Sequence, residues 1–173
     1  MSILNNQILA TDSYKASHFL QYPKDTTEIF DYVEARHSKQ YPFIKEVVLF
    51  ELQAAIKKWL MKPITKVDVE QAKWFFEKHG EPFNYDGFMY IVENHGGYYP
   101  LEIRAVPEGT PVPIGNLMVS VVSTDENCAW LPSYVETILL QAIWYGSTVA
   151  TISRECKRMI QNALNETSDN PND

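Results

Sequence analysis

The amino-acid sequence predicts an α+β fold in a single domain. Apolar residues recur at helical spacing in the first half, alternate at period two near residue 101, and return to helical spacing after residue 130. The 173 residues suffice for one domain of ordinary size or at most two small ones. With 45% hydrophobic and 21% charged residues, the composition is that of a soluble globular protein and argues against wholesale disorder.

A helix and a strand are predicted at the start of the chain. Residues 11–13 offer capping oxygens for a helix over residues 14–20, which a Tyr-Pro pair stops. Residues 27–36 are rich in β-branched and aromatic side chains and predict a strand. Because Asp31 and Glu34 lie among its apolar residues, part of this strand is expected near solvent or a site.

Three helices are predicted next. Apolar residues recur at spacings of three and four over residues 47–60, which indicates an amphipathic helix. Thr65 and Asp68 resemble a capping box, and the helix that they start is expected to end at Gly80. Asn84 is predicted to cap a third helix, which ends at a Gly-Gly pair.

The pattern then changes to short strands and tight turns. Residues 101–106 alternate at period two, and residues 117–122 form a nearly continuous apolar strand. Proline and glycine punctuate residues 107–115 between these strands. Two further helices are predicted, over residues 130–142 and 148–164.

Composition and termini limit the function and the location of the chain. The domain is expected over residues 1–164, followed by a polar, flexible tail over residues 165–173. A net charge of -7 argues against a surface that coats nucleic acid, although it leaves room for a local phosphate pocket. Two cysteines without a disulfide framework fit a reducing cytoplasm. No secretory signal and no membrane-spanning apolar run are found.

Motifs for several common activities are absent from the sequence. There is no GxGxxG or GxxxxGK loop, no GxSxG elbow and no HExxH pair. The four histidines are scattered singly, so each is expected to be a surface or hydrogen-bonded structural residue rather than a metal ligand.

Three local clusters remain as candidate sites. In the first, which joins Asp12, Tyr14, Lys15 and His18, spacing alone favours a plain helix start with Asp12 as cap and Lys15 solvated. The alternative is an aromatic platform beside a cation, able to stack on a planar ring.

The second cluster follows the first predicted strand and joins Glu34, Arg36, His37 and Lys39. It is either a solvated strand end or a cationic site in which Arg36 donates two parallel hydrogen bonds to a phosphate. The third cluster, over residues 106–115, is interpreted as a structural pair of turns, because proline and glycine set backbone angles rather than chemistry.

Several blocks of the sequence resemble the opening of the nicotinamide phosphoribosyltransferase family. They follow one another in the family's order along nearly the whole chain, and together they are more specific than any single block. The blocks are LATDSYK at 9–15 with His18 and QYP at 21–23, YVEAR at 32–36, EIRAVPEG at 102–109 with PIGN at 113–116, ETIL at 136–139, TVAT at 148–151 and SRE at 153–155.

This resemblance implies the N-terminal α/β region of a type II phosphoribosyltransferase, which in the family precedes an irregular α/β barrel. Such enzymes form nicotinamide mononucleotide and pyrophosphate from nicotinamide and phosphoribosyl pyrophosphate in NAD salvage. They work as homodimers with active sites at the subunit interface. Mg²⁺ is expected to accompany phosphoribosyl pyrophosphate, with no ligands in this chain. Neither nucleic acid nor a membrane is an expected partner.

The resemblance also implies roles for individual residues. Tyr14 matches a tyrosine that stacks on the nicotinamide ring across the dimer interface, and Asp12 lies in the same segment and orders it. Arg36 matches an arginine that reaches the donor's phosphates from the partner subunit. The roles of His18 and Lys39 stay open, and no catalytic residue or metal ligand is implied in this chain.

The chain departs from the family in its extent. It matches only about the first third of a family member, and the barrel residues that complete the site have no counterpart. We therefore expect the chain alone to be inactive, and its helices over residues 130–164 to expose an apolar face. Two alternatives stay open: a non-catalytic dimerisation or binding module that pairs with a barrel-containing subunit, and a relative that acts on nicotinate.

Overall fold

The computed structural model describes residues 5–170 and shows two small antiparallel sheets packed with helices. The mixture of helices and strands confirms the predicted α+β class, and the described residues form no barrel. The strands are β1 (Phe30–Glu34), β2 (Glu46–Val48), β3 (Leu101–Ala105), β4 (Pro111–Pro113) and β5 (Leu117–Ser123). The helices are α1 (Leu52–Ala55), α2 (Lys66–His79), α3 (Tyr85–Asn94) and α4 (Leu131–Thr167), with a π-helical turn at Ile56–Leu60 and 3₁₀ helices at Gln7–Leu9, Ser13–Leu20 and Glu126–Cys128.

The larger sheet has the strand order β1-β5-β3, so β5 lies at its centre. Val122 of β5 lies opposite Phe30 of β1 and opposite Glu102 of β3, and both pairings are antiparallel. Residues 118–121 of β5 are all buried, as the continuous apolar run in the sequence indicated. The predictions of these three strands are confirmed.

The smaller sheet, which pairs β2 with β4, was not predicted. Val47 lies opposite Val112 in this pair. The predicted helix over residues 47–60 is therefore wrong at its start, because its first residues hydrogen-bond to β4 and helical backbone begins only at Leu52. The prolines of β4 are tolerated because a two-stranded sheet consists only of edge strands.

Short-range helix signals are confirmed. The amide of Asp68 donates to Thr65 Oγ1 at 3.3 Å, and the amide of Thr65 donates to the Asp68 carboxylate at 2.8 Å, which completes the predicted capping box. α2 stops where predicted, because Gly80 follows it with a φ of 84°. The side chain of Asn84 caps α3, also as predicted.

α4 is a single helix of 37 residues, where the sequence predicted two helices over residues 130–142 and 148–164. The middle of the helix hydrogen-bonds to β2 and to the residues that follow it. Thr151 Oγ1 and Ser147 Oγ accept from the backbone amides of Val48 and Phe50, each at 3.0 Å. These tertiary contacts support helical backbone across the gap between the two predicted helices. The helix also continues to Thr167, into the segment predicted as a flexible tail.

The core lies between the helices and the larger sheet, and α4 closes it. The fully buried ring of Phe88 lies 4.9 Å from the ring of Trp130 and 5.0 Å from that of Tyr134, measured between centroids. Val135 and Leu139, one turn apart on α4, are also buried in this core. The first turns of α4 are therefore held firmly by apolar packing.

A different face of α4 is apolar and exposed, as expected. The exposed fractions of Trp144, Tyr145 and Met159 are 70%, 64% and 63%. Exposed apolar patches of this kind are typical of interaction surfaces. Within residues 5–170, no helix combines the length and the apolar character that crossing a membrane requires.

A tight contact joins α4 to the start of α1. Glu51, which precedes α1, has a φ of 78°, in the left-handed region that costs a residue with a Cβ roughly 1–2 kcal/mol. A Cβ added to Gly146 would lie 2.8 Å from the Cβ of Glu51 and 2.5 Å from its Oε2. Glycine is therefore the residue that fits at position 146 while Glu51 keeps this conformation.

We expect Glu51→Gly to raise the free energy of unfolding by about 1 kcal/mol, because glycine adopts a positive φ without steric cost. Gly146→Ala should lower this free energy by about 1–3 kcal/mol through overpacking. In the Glu51→Gly background the same change should raise it, because alanine is the better helix former and the contact is gone. Urea unfolding followed by circular dichroism measures the free energy of unfolding of each variant.

The matched control is Glu51→Ala, which retains both the Cβ and the strained φ. Gly146→Ala should stay destabilising in that background. If Gly146→Ala has the same sign in the Glu51→Gly background as in the wild type, the contact does not explain the glycine at position 146.

Candidate functional site

The 3₁₀ helix Ser13–Leu20 lies where the sequence predicted a helix, and it presents Tyr14 at the surface. The side chain of Tyr14 is 56% exposed, and its ring centroid lies 5.4 Å from that of His18. Asp12 occupies the position just before this helix. The structure therefore brings Asp12, Tyr14 and His18, three of the predicted site residues, together on one short element.

Asp12 does not cap its helix as the simple interpretation of the sequence held, because its side chain makes no capping hydrogen bond. It is joined to α4 instead. Thr137 Oγ1 donates to Asp12 Oδ2 at 2.9 Å and accepts from the backbone amide of Asp12 at 3.2 Å. The hydroxyl of Tyr14 lies 3.4 Å from the same Asp12 oxygen, so the carboxylate links Tyr14 to α4.

Lys15 is buried, so its interpretation as a solvated lysine is wrong. Its side chain is 4% exposed, and its Nζ lies 2.5 Å from Glu136 Oε2 and 5.4 Å from the centroid of the Tyr14 ring. An ammonium removed from water requires a charged or hydrogen-bonded partner. The ion pair between Lys15 and Glu136 therefore attaches the 3₁₀ helix to α4.

Arg36 lies just beyond the end of β1 and is exposed. The backbone before it is held by the pairing of β1 with β5 and by a hydrogen bond of 3.0 Å from the amide of Gly115 to the carbonyl of Ala35. Arg36 lines a cavity of about 490 Å³ between this loop and α4, where Tyr41 and Trp144 supply aromatic walls.

The predicted site residues thus fall into two groups. Asp12, Tyr14 and His18 share one element, whereas Arg36 belongs to the cavity beside the middle of α4. Lys39 is exposed and does not line that cavity. Among the described residues, the lining of the cavity that contains Arg36 includes none of the Tyr14 group, so we treat the two groups as separate surfaces.

Sequence reasoning assigned no role to Glu136 and Thr137, although both lie in a block that it singled out. They are adjacent polar residues in a turn whose neighbours Val135, Ile138 and Leu139 are buried. At about 100° per residue, Glu136 and Thr137 lie on the side of α4 opposite Val135 and Ile138, so the apolar pattern alone predicts a solvated face there. The sequence therefore carries no local signal for their partners on the N-terminal segment.

The turn stretch over residues 106–115 has the structural role that the sequence predicted. The amide of Gly109 donates to the carbonyl of Leu49 at 2.9 Å. The carboxylate of Glu108 accepts from the amide of Gln53 at 2.8 Å, in the first turn of α1. The bond from Glu108 satisfies a backbone amide that the start of α1 leaves free.

One group of possible metal donors lies elsewhere in the described chain. It consists of a ring nitrogen of His95, a carboxylate oxygen of Asp125 and Cys128 Sγ, which lie within 4.8 Å of one another. Zn²⁺ accepts such a donor set in other proteins. These groups already have partners or are shielded. Asp125 Oδ2 lies 2.7 Å from His95 Nε2 and accepts from the Tyr90 hydroxyl at 2.9 Å, and burial raises the pKa of the Cys128 thiol to about 12. We interpret the group as a structural network.

Asp125 is the charged centre of this network. A hydrogen bond from the backbone amide of Asn127 contributes most to lowering the pKa of the Asp125 carboxyl, followed by the bond with His95. The pKa falls from the ordinary 3.8 to about 2. The carboxylate form is therefore the one that the fold stabilises.

A solved structure shares this fold. The crystal structure of human nicotinic acid phosphoribosyltransferase superposes with a TM-score of 0.60 at 22% sequence identity, over 88% of this chain and 29% of the human one. The fold is thus that of one part of a phosphoribosyltransferase.

Curated proteins named nicotinamide phosphoribosyltransferase are similar in sequence to this chain. The protein from Xanthomonas campestris pv. campestris (strain 8004) is 45% identical over 99% of this chain and 36% of its own length. The protein from Acinetobacter baylyi is 31% identical over 92% of this chain and 34% of its own. The protein from Mycoplasma pneumoniae is 26% identical over 94% of this chain and 40% of its own length. The chain therefore spans little more than a third of the length of these relatives.

The family model for the N-terminal domain of nicotinamide phosphoribosyltransferase matches residues 6–103. This match covers more than half of the chain and includes Asp12, Tyr14 and Arg36. The chain belongs to the nicotinamide phosphoribosyltransferase family, and it corresponds to the N-terminal part of its members.

The lowered pKa of Asp125 predicts how stability depends on pH. Because the folded pKa of about 2 lies below the ordinary 3.8, the carboxylate stabilises the fold above about pH 4 and loses this effect as the pH falls toward 2. We expect Asp125→Asn to lower the urea midpoint at pH 7, and its difference from the wild type to shrink between pH 4 and pH 2. Urea titrations at a series of pH values measure this difference.

Asp25→Asn, at an exposed position, is the control and should change the midpoint little at any pH. A difference between Asp125→Asn and the wild type that stays equal at pH 7 and pH 2 would exclude the carboxylate as its cause.

Proposed function

We propose that this chain forms the N-terminal portion of an enzyme that makes nicotinamide mononucleotide and pyrophosphate from nicotinamide and phosphoribosyl pyrophosphate. The observation that carries the proposal is the exposed ring of Tyr14, attached to α4 through Asp12 and Lys15, in a chain of this family. We place the activity in NAD salvage, in a cytoplasmic homodimer whose subunits share their active sites.

Tyr14 is suited to the base. Nicotinamide is flat and uncharged, so a site for it needs aromatic faces more than charge. The ring of Tyr14 is half-exposed and flanked by His18, while its hydroxyl points to Asp12. In the proposed enzyme Tyr14 stacks on the nicotinamide ring in the site of a neighbouring subunit, Asp12 orders its segment, and His18 supports its edge.

Arg36 is suited to the phosphates of the donor. A guanidinium donates two parallel hydrogen bonds to phosphate oxygens, which a point charge cannot do. Lys39 adds positive charge to the same exposed loop. The Mg²⁺ that accompanies phosphoribosyl pyrophosphate binds oxygen ligands, and we assign these to the donor and to residues outside this chain.

The contribution that we propose for this chain is to position the two substrates. When pyrophosphate leaves, positive charge develops on the ribose, and catalysis depends on how the base and the donor are held. Tyr14 and Arg36 would orient one substrate each. The groups that complete the site belong to the barrel of the enzyme, so the chain by itself should not turn over.

We propose that the exposed apolar face of α4 contacts the barrel-bearing part of the enzyme. Trp144 and Tyr145 lie on this face, and Trp144 also lines the cavity that contains Arg36. The same face supports the alternative of a non-catalytic module that pairs with a barrel-containing subunit. A relative that acts on nicotinate would use the same surfaces. An assay that compares nicotinamide with nicotinate as substrate distinguishes this alternative.

We expect no nicotinamide mononucleotide from the purified chain with nicotinamide, phosphoribosyl pyrophosphate and Mg²⁺, because half of the site is absent. Product should form when the barrel-bearing remainder of the Xanthomonas relative is supplied separately, or is joined to this chain in a chimera. Mass detection of the product measures both, with nicotinate as competing substrate. Product from the chain alone would contradict the proposal, and a chimera that uses only nicotinate would assign the activity to the alternative.

Substitutions in the chimera should separate the two substrates. Tyr14→Ala should raise the KM for nicotinamide about tenfold, because the loss of ring stacking costs about 1.4 kcal/mol. Tyr14→Phe should retain most of the affinity. Arg36→Ala should raise the KM for phosphoribosyl pyrophosphate roughly 10- to 100-fold through the loss of charged hydrogen bonds. Steady-state kinetics with each substrate varied in turn measures these values.

Tyr98→Ala and Arg104→Ala are matched controls at exposed positions outside both surfaces. Neither should change either KM by more than about twofold, which corresponds to a few tenths of a kcal/mol. Equal effects of Tyr14→Ala on both substrates would argue that Tyr14 supports the fold rather than the base.

A further inference from the structure

We propose that Glu136 and Thr137, adjacent residues of α4, are positioning residues for the base-binding tyrosine: they determine where the ring of Tyr14 stands and hence the affinity for the planar base. This inference rests on the role proposed above for Tyr14. It adds two residues that lie more than 120 positions away from Tyr14 in the sequence.

The first attachment is the ion pair beside Tyr14. The Nζ of Lys15 lies 2.5 Å from Glu136 Oε2 and 5.4 Å from the centroid of the Tyr14 ring. The lysine is 4% exposed, whereas the carboxylate side chain is 43% exposed. Because a buried ammonium is costly without its partner, the carboxylate of Glu136 determines where Lys15 and the adjoining backbone can lie.

The second attachment is the hydroxyl of Thr137, which hydrogen-bonds to both the side chain and the backbone of Asp12. It donates to the carboxylate at 2.9 Å and accepts from the backbone amide at 3.2 Å. The carboxylate oxygen that receives this bond is also the one that lies 3.4 Å from the hydroxyl of Tyr14. A single threonine thereby fixes the direction of Asp12 and, through it, of the tyrosine.

The arrangement separates positioning from folding. For the described residues 11–15, the polar bonds to other elements all end on one turn of α4, because Thr11 Oγ1 also donates to the carbonyl of Tyr134 at 3.0 Å. The same turn packs into the core through Val135 and Ile138, which lie on its other side. Substitutions of its polar residues can therefore release Tyr14 while the core packing remains.

The first experiment uses the chain itself and does not depend on any activity. Amide hydrogen exchange of residues 13–20 should become about tenfold faster in Thr137→Val, which keeps the shape of the side chain but removes the hydroxyl. Thr137→Ser should restore the wild-type rate, and Glu136→Gln should show an intermediate increase. The amides of β5 should be unaffected. Unchanged exchange of residues 13–20 in Thr137→Val overturns the proposal.

The second experiment measures kinetics in the chimera with the Xanthomonas barrel. Thr137→Val should raise the KM for nicotinamide several-fold, with kcat and the KM for phosphoribosyl pyrophosphate within about twofold, and Thr137→Ser should rescue it. If Thr137 acts through Tyr14, the double variant Tyr14→Ala/Thr137→Val should be no worse than Tyr14→Ala alone. Thr167→Val, which removes a hydroxyl bonded only within α4 among the described residues, is the matched control.

The outcomes distinguish this inference from the function on which it rests. If Tyr14→Ala raises the KM for nicotinamide and Thr137→Val does not, the positioning role is wrong and the function of Tyr14 stands. If the two effects add, Thr137 acts elsewhere and the positioning role is also wrong. If Tyr14→Ala leaves the KM unchanged, both the assignment of Tyr14 and the positioning role are overturned.

Discussion

Hydrogen bonds from the side chains of α4 to distant backbone groups hold the parts of this chain together. The hydroxyl of Tyr134 donates to the carbonyl of Ile8 at 2.6 Å, Thr137 binds Asp12, and Ser147 and Thr151 accept from amides at and after β2. Two of the residues so bound, Ile8 and Val48, are buried, so water cannot replace these partners. Because a buried polar group without a partner is costly, one continuous helix determines where the N-terminal 3₁₀ helix and the smaller sheet lie.

The same helix relates the two candidate surfaces to each other. Tyr14 is attached at residues 134–137 of α4, and the cavity that contains Arg36 is lined by Trp144 and Thr148. At 1.5 Å of rise per residue, these positions are roughly 15 Å apart along the axis. A helix without a break keeps that spacing constant, whereas two helices joined by a loop would let the surfaces move independently. The close packing of Gly146 against Glu51 lies at the cavity end of this span and fixes the helix to the body of the chain.

The candidate site could be predicted only in part. Residue types and the family resemblance were sufficient to single out Tyr14 and Arg36, and the structure leaves both exposed. Lys15 was misinterpreted because its partner Glu136 lies 121 positions away, and no spacing rule reports a contact of that range. The capping role that spacing favoured for Asp12 was wrong for a related reason. A capping residue and a residue that binds another element have the same local sequence, and only the presence of Thr137 beside it distinguishes the two.

Local sequence accounts for the features that are set within one or two helical turns or along one strand. The capping box of Thr65 and Asp68, the stop at Gly80 and the buried run of β5 follow from contacts three or four residues apart or from the alternation of side chains. Tertiary structure decided the continuity of α4, the pairing of β2 with β4 and the burial of Lys15. Each of these depends on a partner far away in the chain, and its free energy outweighs local preferences that are only about 1 kcal/mol per residue.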